Sequence, residues 1–527
     1  MTKYEINDRI STVDNSQTAT IRYIGQIPQW GTKTLAYGVE WDDASRGKNN
    51  GDLEGIQYFQ PLVPNSGSFI KSTNKNFTWS RRTFVQAIRE IYLDAEYQNR
   101  EIQIGTKIVG EFGWEKLNRY YSDLRNLKSL SLDRALIYKA YNDDEEAELA
   151  NVIFEQLRNL HTLDLSSNLF ADFNEIWKIV SRLPSLRELN LNGNRSSSLE
   201  VSGPVTTTCL HHLKKLKLAS TASSPDPIPD INTLIRRFPS VEDLILSSNR
   251  LCDEHLTRLE LSSLASLQSL DLSYNELQNI PHEINIENLN LSHNSIKPVP
   301  DGTSRLEGNG TVKSLDMRCN NISHWSQIDL LSQIYPNLTK LRINHNPVFQ
   351  DLSIDEMTIQ LIARFTCGKD HLKNLNGTNL TQEEIENAEL YFISKVQSRD
   401  FRLASEGRWQ YLLHKYNKRD DFSNESSTTV RPWITLNLKL ENANSTVMRK
   451  RRFLKSTTIL SFRGFISSSM LQNSSILDFE VYFYTNEGTE FATAHTMKNY
   501  LSTLNDYALA ENQIIHITTT ITLSESI

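Results

Sequence analysis

This sequence has little of what would place it in a membrane, a secreted disulfide scaffold or a metalloenzyme. No apolar run approaches the roughly 20 residues needed to cross a bilayer. The opening stretch MTKYEINDRISTVDN lacks the apolar segment of a secretory leader. A cytoplasmic chain without a membrane partner is expected, on which the sequons at Asn321 and Asn337 stay bare. Cysteine is scarce: Cys209, Cys252, Cys319 and Cys367 lie far apart and form no C-x-x-C pair. Reduced thiols and no metal are expected from them. Charge of one sign is also missing. A net charge of −7 across 527 residues gives no general argument for nucleic acid as a partner.

Catalytic signatures are absent too. There is no H-E-x-x-H, no G-x-S-x-G and no kinase set. The stretch SRGKNNGDLEGIQYFQ, Ser45 to Gln60, holds a Gly-Lys pair that raises the question of phosphate. A P-loop needs an earlier glycine, where Asp42 stands, and a Ser or Thr after the lysine, where Asn49 stands. Phosphate cradling is excluded, and neither enzymic activity nor a cofactor is expected.

What is present is a repeat. LHTLDLSSN from Leu160, LRELNLNGN from Leu186 and LQSLDLSYN from Leu267 follow the pattern L-x-x-L-x-L-x-x-N. Looser copies begin at Val241, Ile286, Val312 and Leu338, and copies without the asparagine begin at Leu127 and Leu213. Most starts lie about 26 residues apart, in the range of leucine-rich repeats. Each leucine triplet makes one side of a short parallel strand apolar. Asn168, Asn194, Asn249, Asn275, Asn294, Asn320 and Asn346 can hydrogen-bond backbone groups freed where the chain leaves the strand. One repeat cannot bury its own apolar face, so the copies must stack into an α/β solenoid, placed at residues 126–397. Thr381 with Glu384 announces its capping helix.

Alternate strand residues line the concave face of such a solenoid. Its acids are Asp164, Glu188, Asp243, Asp271 and Asp316; its bases are Lys215, Lys217, Arg318, Lys340 and Arg342. A docking surface for an acidic folded protein and a solvated sheet of mixed charge both fit that pattern.

The flanks differ in chemistry. Residues 76–125 contain TFVQAIREIYLDAEY, an amphipathic helical pattern, and are expected to be a helical connector. Residues 398–430 suit a part-helical linker. Within 431–527, WITLNLKLEN and LDFEVYFYTNEG alternate like half-buried strands, and an α+β module of ubiquitin size is expected. It ends TTTITLSESI without the Gly-Gly needed for conjugation, so a binding role is expected of it. The basic run MRKRR, Met448 to Arg452, suits a solvated hairpin connection, a nuclear signal or a patch for an acidic partner.

The stretch from Ala36 to Lys71 resembles the CAP-Gly family, whose signature is a G-K-N-D-G loop. Gly47, Lys48, Asn49 and Gly51 match, and Asn50 stands where that family has Asp. IRYIG, YGVEW, GIQYF and GSFIK match its flanking strands. The resemblance implies a small all-β barrel over residues 1–75 that reads acidic C-terminal tails such as that of α-tubulin. Lys48 would face acidic groups and Asn49 the terminal carboxylate. Trp41, Phe59 and Phe69 would wall a groove for the terminal aromatic, though each also suits barrel core. Asn50 removes one acceptor and one negative charge, which puts the rigidity of the loop in question.

The module order in this multidomain chain resembles the tubulin-folding cofactor E family: CAP-Gly barrel, capped leucine-rich repeats, ubiquitin-like module. That implies a non-catalytic, cytoplasmic, cytoskeleton-associated chaperone that binds α-tubulin. Its partners would be cofactors B, C and D, in assembly and dissociation of the αβ-tubulin heterodimer. The ubiquitin-like module would add contact with the proteasome or other ubiquitin readers. The alternative is a microtubule-associated scaffold that reads tails on the polymer.

Overall fold

The computed structural model describes residues 4–31, 34–93, 103–104, 107–108, 123–142, 146–196, 209–281, 283–297, 309–368, 371–403, 405–418, 433–442, 445–471, 474–485 and 492–519. The chain divides into two compact units, Met1–Ser295 and Ile296–Ile527.

The first unit opens with Arg9–Thr12 (β1), Thr18–Gln26 (β2), Leu35–Trp41 (β3), Gly67–Lys71 (β4) and Phe77–Thr78 (β5). They form an antiparallel sheet in the order β4-β3-β2-β1-β5. Period-two alternation sends Ile10, Ile21, Tyr37, Val39, Trp41 and Phe77 into one small core. Thr83 then starts a short helix, Phe84–Ile88 (α1), through a capping box with Gln86. A π-turn at Arg89–Leu93 follows. Most of the expected connector beyond it lies outside the described residues.

Seven short parallel strands come next: Ser129–Ser131 (β6), Thr162–Asp164 (β7), Glu188–Asn190 (β8), Lys215–Lys217 (β9), Asp243–Ile245 (β10), Ser269–Asp271 (β11) and Asn288–Asn290 (β12). Their register sets Leu130, Leu163, Leu189, Leu216, Leu244, Leu270 and Leu289 side by side. All seven are buried. Burying one such side chain is worth roughly 1.5–3 kcal/mol, so it is the stack that stabilises each repeat. Ala147–Gln156 (α2), Phe173–Val180 (α3) and Ile228–Arg237 (α4) return the chain between strands and bury apolar stripes such as Phe173, Ile176 and Val180.

The asparagines form a ladder. Asn168 Nδ2 donates to Leu132 O of the preceding repeat (2.8 Å) and to Leu165 O of its own (2.9 Å). Its Oδ1 accepts the Ile137 N–H (3.0 Å). Asn194, Asn275 and Asn294 likewise bridge two repeats. In the copy from Leu213, Thr221 holds this position, and its hydroxyl donates to Leu218 O (2.9 Å). The acidic run at residues 143–146 reads from its charge alone as a solvated helix face or loop. Residues 143–145 lie outside the described set, but Glu146 is buried. It accepts from the Thr83 hydroxyl (2.8 Å) and from Gln86 Nε2 (2.5 Å), which fixes α1 to the first repeats.

In the second unit, Ser314–Asp316 (β13), Lys340–Arg342 (β14) and Asn374–Leu375 (β15) stack Leu315, Leu341 and Leu375 in parallel register. Asn346 bridges Met317 O (2.9 Å) and Ile343 O (2.7 Å) in the same way as the ladder above. Three helices, Trp325–Ile334 (α5), Ile354–Arg364 (α6) and Gln382–Gln397 (α7), accompany these strands. The capping box at Thr381 and Glu384 opens α7. Glu406–Lys415 forms a further helix (α8).

The ubiquitin-like part consists of Trp433–Asn442 (β16), Ser445–Leu454 (β17), Ile459–Met470 (α9), Phe479–Thr485 (β18), Thr493–Thr496 (β19) and Gln513–Thr519 (β20). Its sheet order is β17-β16-β20-β18-β19, with β16 and β20 parallel at the centre. It does not build a core alone. Phe392 and Ile393 of α7, and Trp409, Leu412, Leu413 and Tyr416 at the helical spacing of α8, pack in one cluster with Leu436, Phe462, Val481 and Phe483. Buried Glu389 is held by Arg408 Nη2 (2.7 Å), Lys415 Nζ (2.5 Å) and Tyr416 Oη (2.7 Å). Of the segment expected to be a linker, residues 405–418 therefore belong to a packed core; residues 419–430 lie outside the described set. MRKRR is not a connection but the middle of β17.

Candidate tail-reading loop and solenoid surface

The loop from Gly47 to Gly51 is fixed by its own backbone and by the segment before β4. Lys48 and Asn49 both donate their N–H to Gly67 O (2.7 and 3.1 Å), and Gly67 N–H donates to Asn49 O (2.9 Å). Asn49 Oδ1 accepts the Gly51 N–H (3.0 Å), which leaves its Nδ2 as the donor for an incoming acceptor. A Cβ on Gly47 would lie 1.8 Å from Asn65 O, and one on Gly51 would lie 2.0 Å from Phe59 O. Gly51 also has φ +80°, so no other residue type suits it.

Asn50 completes this frame. Its Oδ1 accepts the Asn65 N–H (2.6 Å), its N–H donates to Asp52 Oδ1 (3.1 Å), and its carbonyl accepts from Gln57 Nε2 (2.8 Å). The amide oxygen thus supplies the acceptor that a carboxylate would. Lys48 is exposed at the tip, and among the described residues no carboxylate is paired with it.

The predicted aromatics divide. Trp41 is buried in the barrel core, its Nε1–H donating to Ser68 Oγ (3.0 Å) and its ring 5.6 Å from Phe77. Phe59 is buried as well. Phe69 is half-buried, 5.6 Å from Phe59 and 5.3 Å from Tyr58, and Tyr58 in turn lies 5.1 Å from Tyr23. The accessible aromatic surface beside the loop is therefore Phe69, Tyr58 and Tyr23, backed by Phe59. Sequence reasoning missed Tyr23 and Tyr58, although Tyr58 sits inside the quoted GIQYF.

Sequence reasoning also missed how the loop is tied to the repeats of its own unit. Buried Arg9 makes two parallel hydrogen bonds to Asp42, Nη1 to Oδ1 and Nη2 to Oδ2 (both 2.6 Å), and donates to Gly193 O (3.2 Å). Arg195 reaches Asp42 from the solenoid, Nη1 to Oδ1 at 3.6 Å and Nη2 to the backbone O at 3.2 Å. Arg250 Nη1 donates to Leu62 O (3.5 Å). Asp42 and Leu62 bracket the loop, so both ends of it are anchored. Burial pushes the Asp42 carboxyl up, but Arg9, Arg195 and the Thr18 hydroxyl more than offset this and hold it below its usual range. A signal was present: of the seven repeat asparagines, Asn194 and Asn249 alone are followed by arginine.

Three of the five predicted bases are paired, two in the first unit and one in the second. Lys217 Nζ lies 2.5 Å from Glu188 and Lys215 Nζ 3.8 Å from Asp243, each one repeat away. Arg318 binds Asp316 two residues earlier (2.7 Å). Lys340 and Arg342 flank Leu341 on β14 and are both exposed. Among the described residues neither has an acidic partner.

Residues 6–75 match the family model of the CAP-Gly domain, and residues 266–285 that of the Leucine Rich Repeat. The chain is 28% identical to Protein PAC2 of Saccharomyces cerevisiae, over 98% of this chain and 96% of that protein. It is 28% identical to the tubulin-specific chaperone E of Homo sapiens, over 86% and 88% respectively. The solution structure of the C-terminal ubiquitin-like domain of mouse tubulin-specific chaperone e matches 19% of this chain and 99% of that domain, at 17% identity and a TM-score of 0.16. The tubulin-specific chaperone E of Xenopus laevis is 31% identical over 77% of this chain and 78% of its own length; the chain belongs to the tubulin-specific chaperone E family.

Proposed function

We propose that this protein is a tubulin-folding chaperone that grips α-tubulin at two places. The loop at Lys48 and Asn49 takes the terminal carboxylate and acidic residues of the tail, with Phe69 and Tyr58 against the terminal aromatic. Trp41 and Phe59 act from behind, by setting the position of Phe69 and of the loop. The solenoid takes the acidic folded body, with Lys340 and Arg342 as its main contacts. Lys215, Lys217 and Arg318 contribute less, because each would have to leave an acid of its own chain. Cofactors B, C and D are the proposed partners in heterodimer assembly and dissociation. Contact with the proteasome or ubiquitin readers through the C-terminal module is proposed on the same footing. The relatives carry chaperone names, which supports a binding role and not a catalytic one.

The observation that carries this reading is the hydrogen-bonded loop with an exposed lysine at its tip, paired with no carboxylate among the described residues, and aromatic surface beside it. The test compares binding of the full chain to α-tubulin with and without its last residue. Removing that residue takes away the terminal aromatic and moves the carboxylate back by one residue; loss of an aromatic burial worth roughly 1.5–3 kcal/mol is expected to weaken binding about 10- to 100-fold, leaving a measurable remainder. K340E/R342E is expected to weaken that remainder. Equal binding of both tubulins would remove tail reading. Co-sedimentation with polymer while soluble dimers stay intact would favour a scaffold instead.

A further inference from the structure

The basic run in β17 has no part in the reading above. β17 pairs with β16 along its whole length, from Trp433 opposite Leu454 to Asn442 opposite Ser445, and among the described residues with no other strand. It is therefore a long sheet edge whose outer row of backbone N–H and C=O groups faces away from the sheet. Arg449, Lys450, Arg451 and Arg452 are all exposed. Pairing places Lys450 and Arg452 on the face of Asn437 and Thr435, and Arg449 and Arg451 on the opposite face with Leu438 and Leu436. Arg449 Nη1 donates to Ser469 O at the end of α9 (2.6 Å), and the Arg452 guanidinium lies 5.5 Å from the Trp433 ring. Among the described residues, none of the four is paired with a carboxylate. The chain as a whole is acidic, at −7, so this cluster is a local reversal of sign.

The charge pattern chooses between occupants of the edge. A second copy of β17 in antiparallel register would set cation against cation, which is destabilising. A strand rich in carboxylates would put an opposite charge across from each cation, on both faces at once. Exposed Val447 and Leu454 bracket the charged stretch and offer apolar contact to the flanking residues of such a strand. We propose that β17 takes up an extended peptide with a run of about four Asp or Glu residues as an added strand of this sheet. Main-chain hydrogen bonds supply affinity, and the four cations select acidic sequence.

The test uses the full chain and a fluorescein-labelled peptide with a central run of glutamates. The peptide is amidated at its C-terminus, so that a carboxylate-reading loop is not addressed. Saturable binding is expected, with slowed hydrogen exchange of the Ser445–Leu454 amides. K450E/R452E changes exposed side chains and is expected to weaken binding about tenfold or more. The proposal is overturned if a peptide of the same sequence N-methylated along its backbone binds equally well, since charge alone would then suffice. Duplex DNA binding as tightly as the peptide would also overturn it, as would exchange protection that falls outside β17.

Discussion

The Gly47–Gly51 loop and the concave face of the solenoid both carry lysines in the sequence, yet they hold them differently. In the loop, the Oδ1 atoms of Asn49 and Asn50 and the backbone of Lys48 are engaged in fixing the chain. Lys48 is exposed, and among the described residues no carboxylate is paired with it. On the concave face, parallel register brings residues of neighbouring repeats about 4.8 Å apart. An acid one repeat away is then within reach, and Lys215 and Lys217 find one. A cation in a solenoid strand therefore has to be judged with its neighbours in the sheet, whereas a cation at a tight loop tip can be judged from its own sequence. Lys340 and Arg342 resemble the loop more than they resemble Lys215 and Lys217.

The strongest way to break this contrast is to deform the loop. Gly51→Ala would place a methyl 2.0 Å from Phe59 O at φ +80°. The expected loss is about 3 kcal/mol or more of barrel stability, with binding of an acidic, carboxylate-ended tail peptide abolished and binding of the tubulin body retained. Lys217→Glu, by contrast, breaks a half-exposed pair and is expected to cost about 1 kcal/mol at most. Hydrogen exchange across β2–β4 and peptide anisotropy report the first, and exchange across β8 and β9 reports the second. Tail binding by Gly51→Ala at wild-type strength would show that loop rigidity is not what holds Lys48 and Asn49 in place.

Much of this was legible because it repeats or because it is local. The leucine triplets and Asn168 to Asn346 state the solenoid outright, since each position does the same job in each copy. The glycines of the loop are legible for the opposite reason: a single tight backbone contact tolerates nothing else. What escaped was contact between modules. Arg195 and Arg250 look like surface arginines until the barrel is set beside them. Trp409, Leu412, Leu413 and Tyr416 do show helical spacing, but their polar surroundings hide that the stripe covers the ubiquitin-like core. Thr221 escaped because a hydroxyl performs part of what the asparagine does, so a copy that appears degenerate keeps one rung of the ladder.

The barrel–solenoid junction gives the second prediction, because it decides whether the loop and the repeats act as one surface. Arg195→Gln leaves Asp42 with Arg9 as its one cation among the described residues, beside the Thr18 hydroxyl. The side chains of Arg195 and Asp42 keep 17% and 22% exposure. The expected cost is therefore about 2 kcal/mol, below the range for a fully buried pair. It should appear as faster exchange in β1 and β3 and as weaker binding of whole α-tubulin, with tail-peptide affinity little changed. Acid should act on the same contact. The Asp42 carboxyl is depressed in the folded protein, so its stabilisation is fully present above the unfolded value of about 3.9 and is lost as pH falls through the folded one. Exchange in β1 and β3 should be insensitive to this group between pH 7 and 5 and rise below about pH 4. Unchanged exchange in Arg195→Gln would mean that other contacts hold the junction.

The smallest expected effect is at Asn50, where Asn50→Asp restores the acid usual in the loop. The present Oδ1 already accepts the Asn65 N–H at 2.6 Å, and a carboxylate oxygen would accept the same bond. The gain from a charge-assisted acceptor is opposed by a new negative charge near Asp52, whose Oδ1 accepts the Asn50 N–H, and in a loop built to receive anions. Both terms are exposed and screened by salt, and they act in opposite directions. The net change in tail affinity is expected to stay within about 0.5 kcal/mol, roughly twofold, and to shrink between low and moderate ionic strength. Anisotropy with the same tail peptide at two salt concentrations measures it. A tenfold change in either direction would mean that the charge at this position, and not the hydrogen bond to Asn65, is what the loop requires.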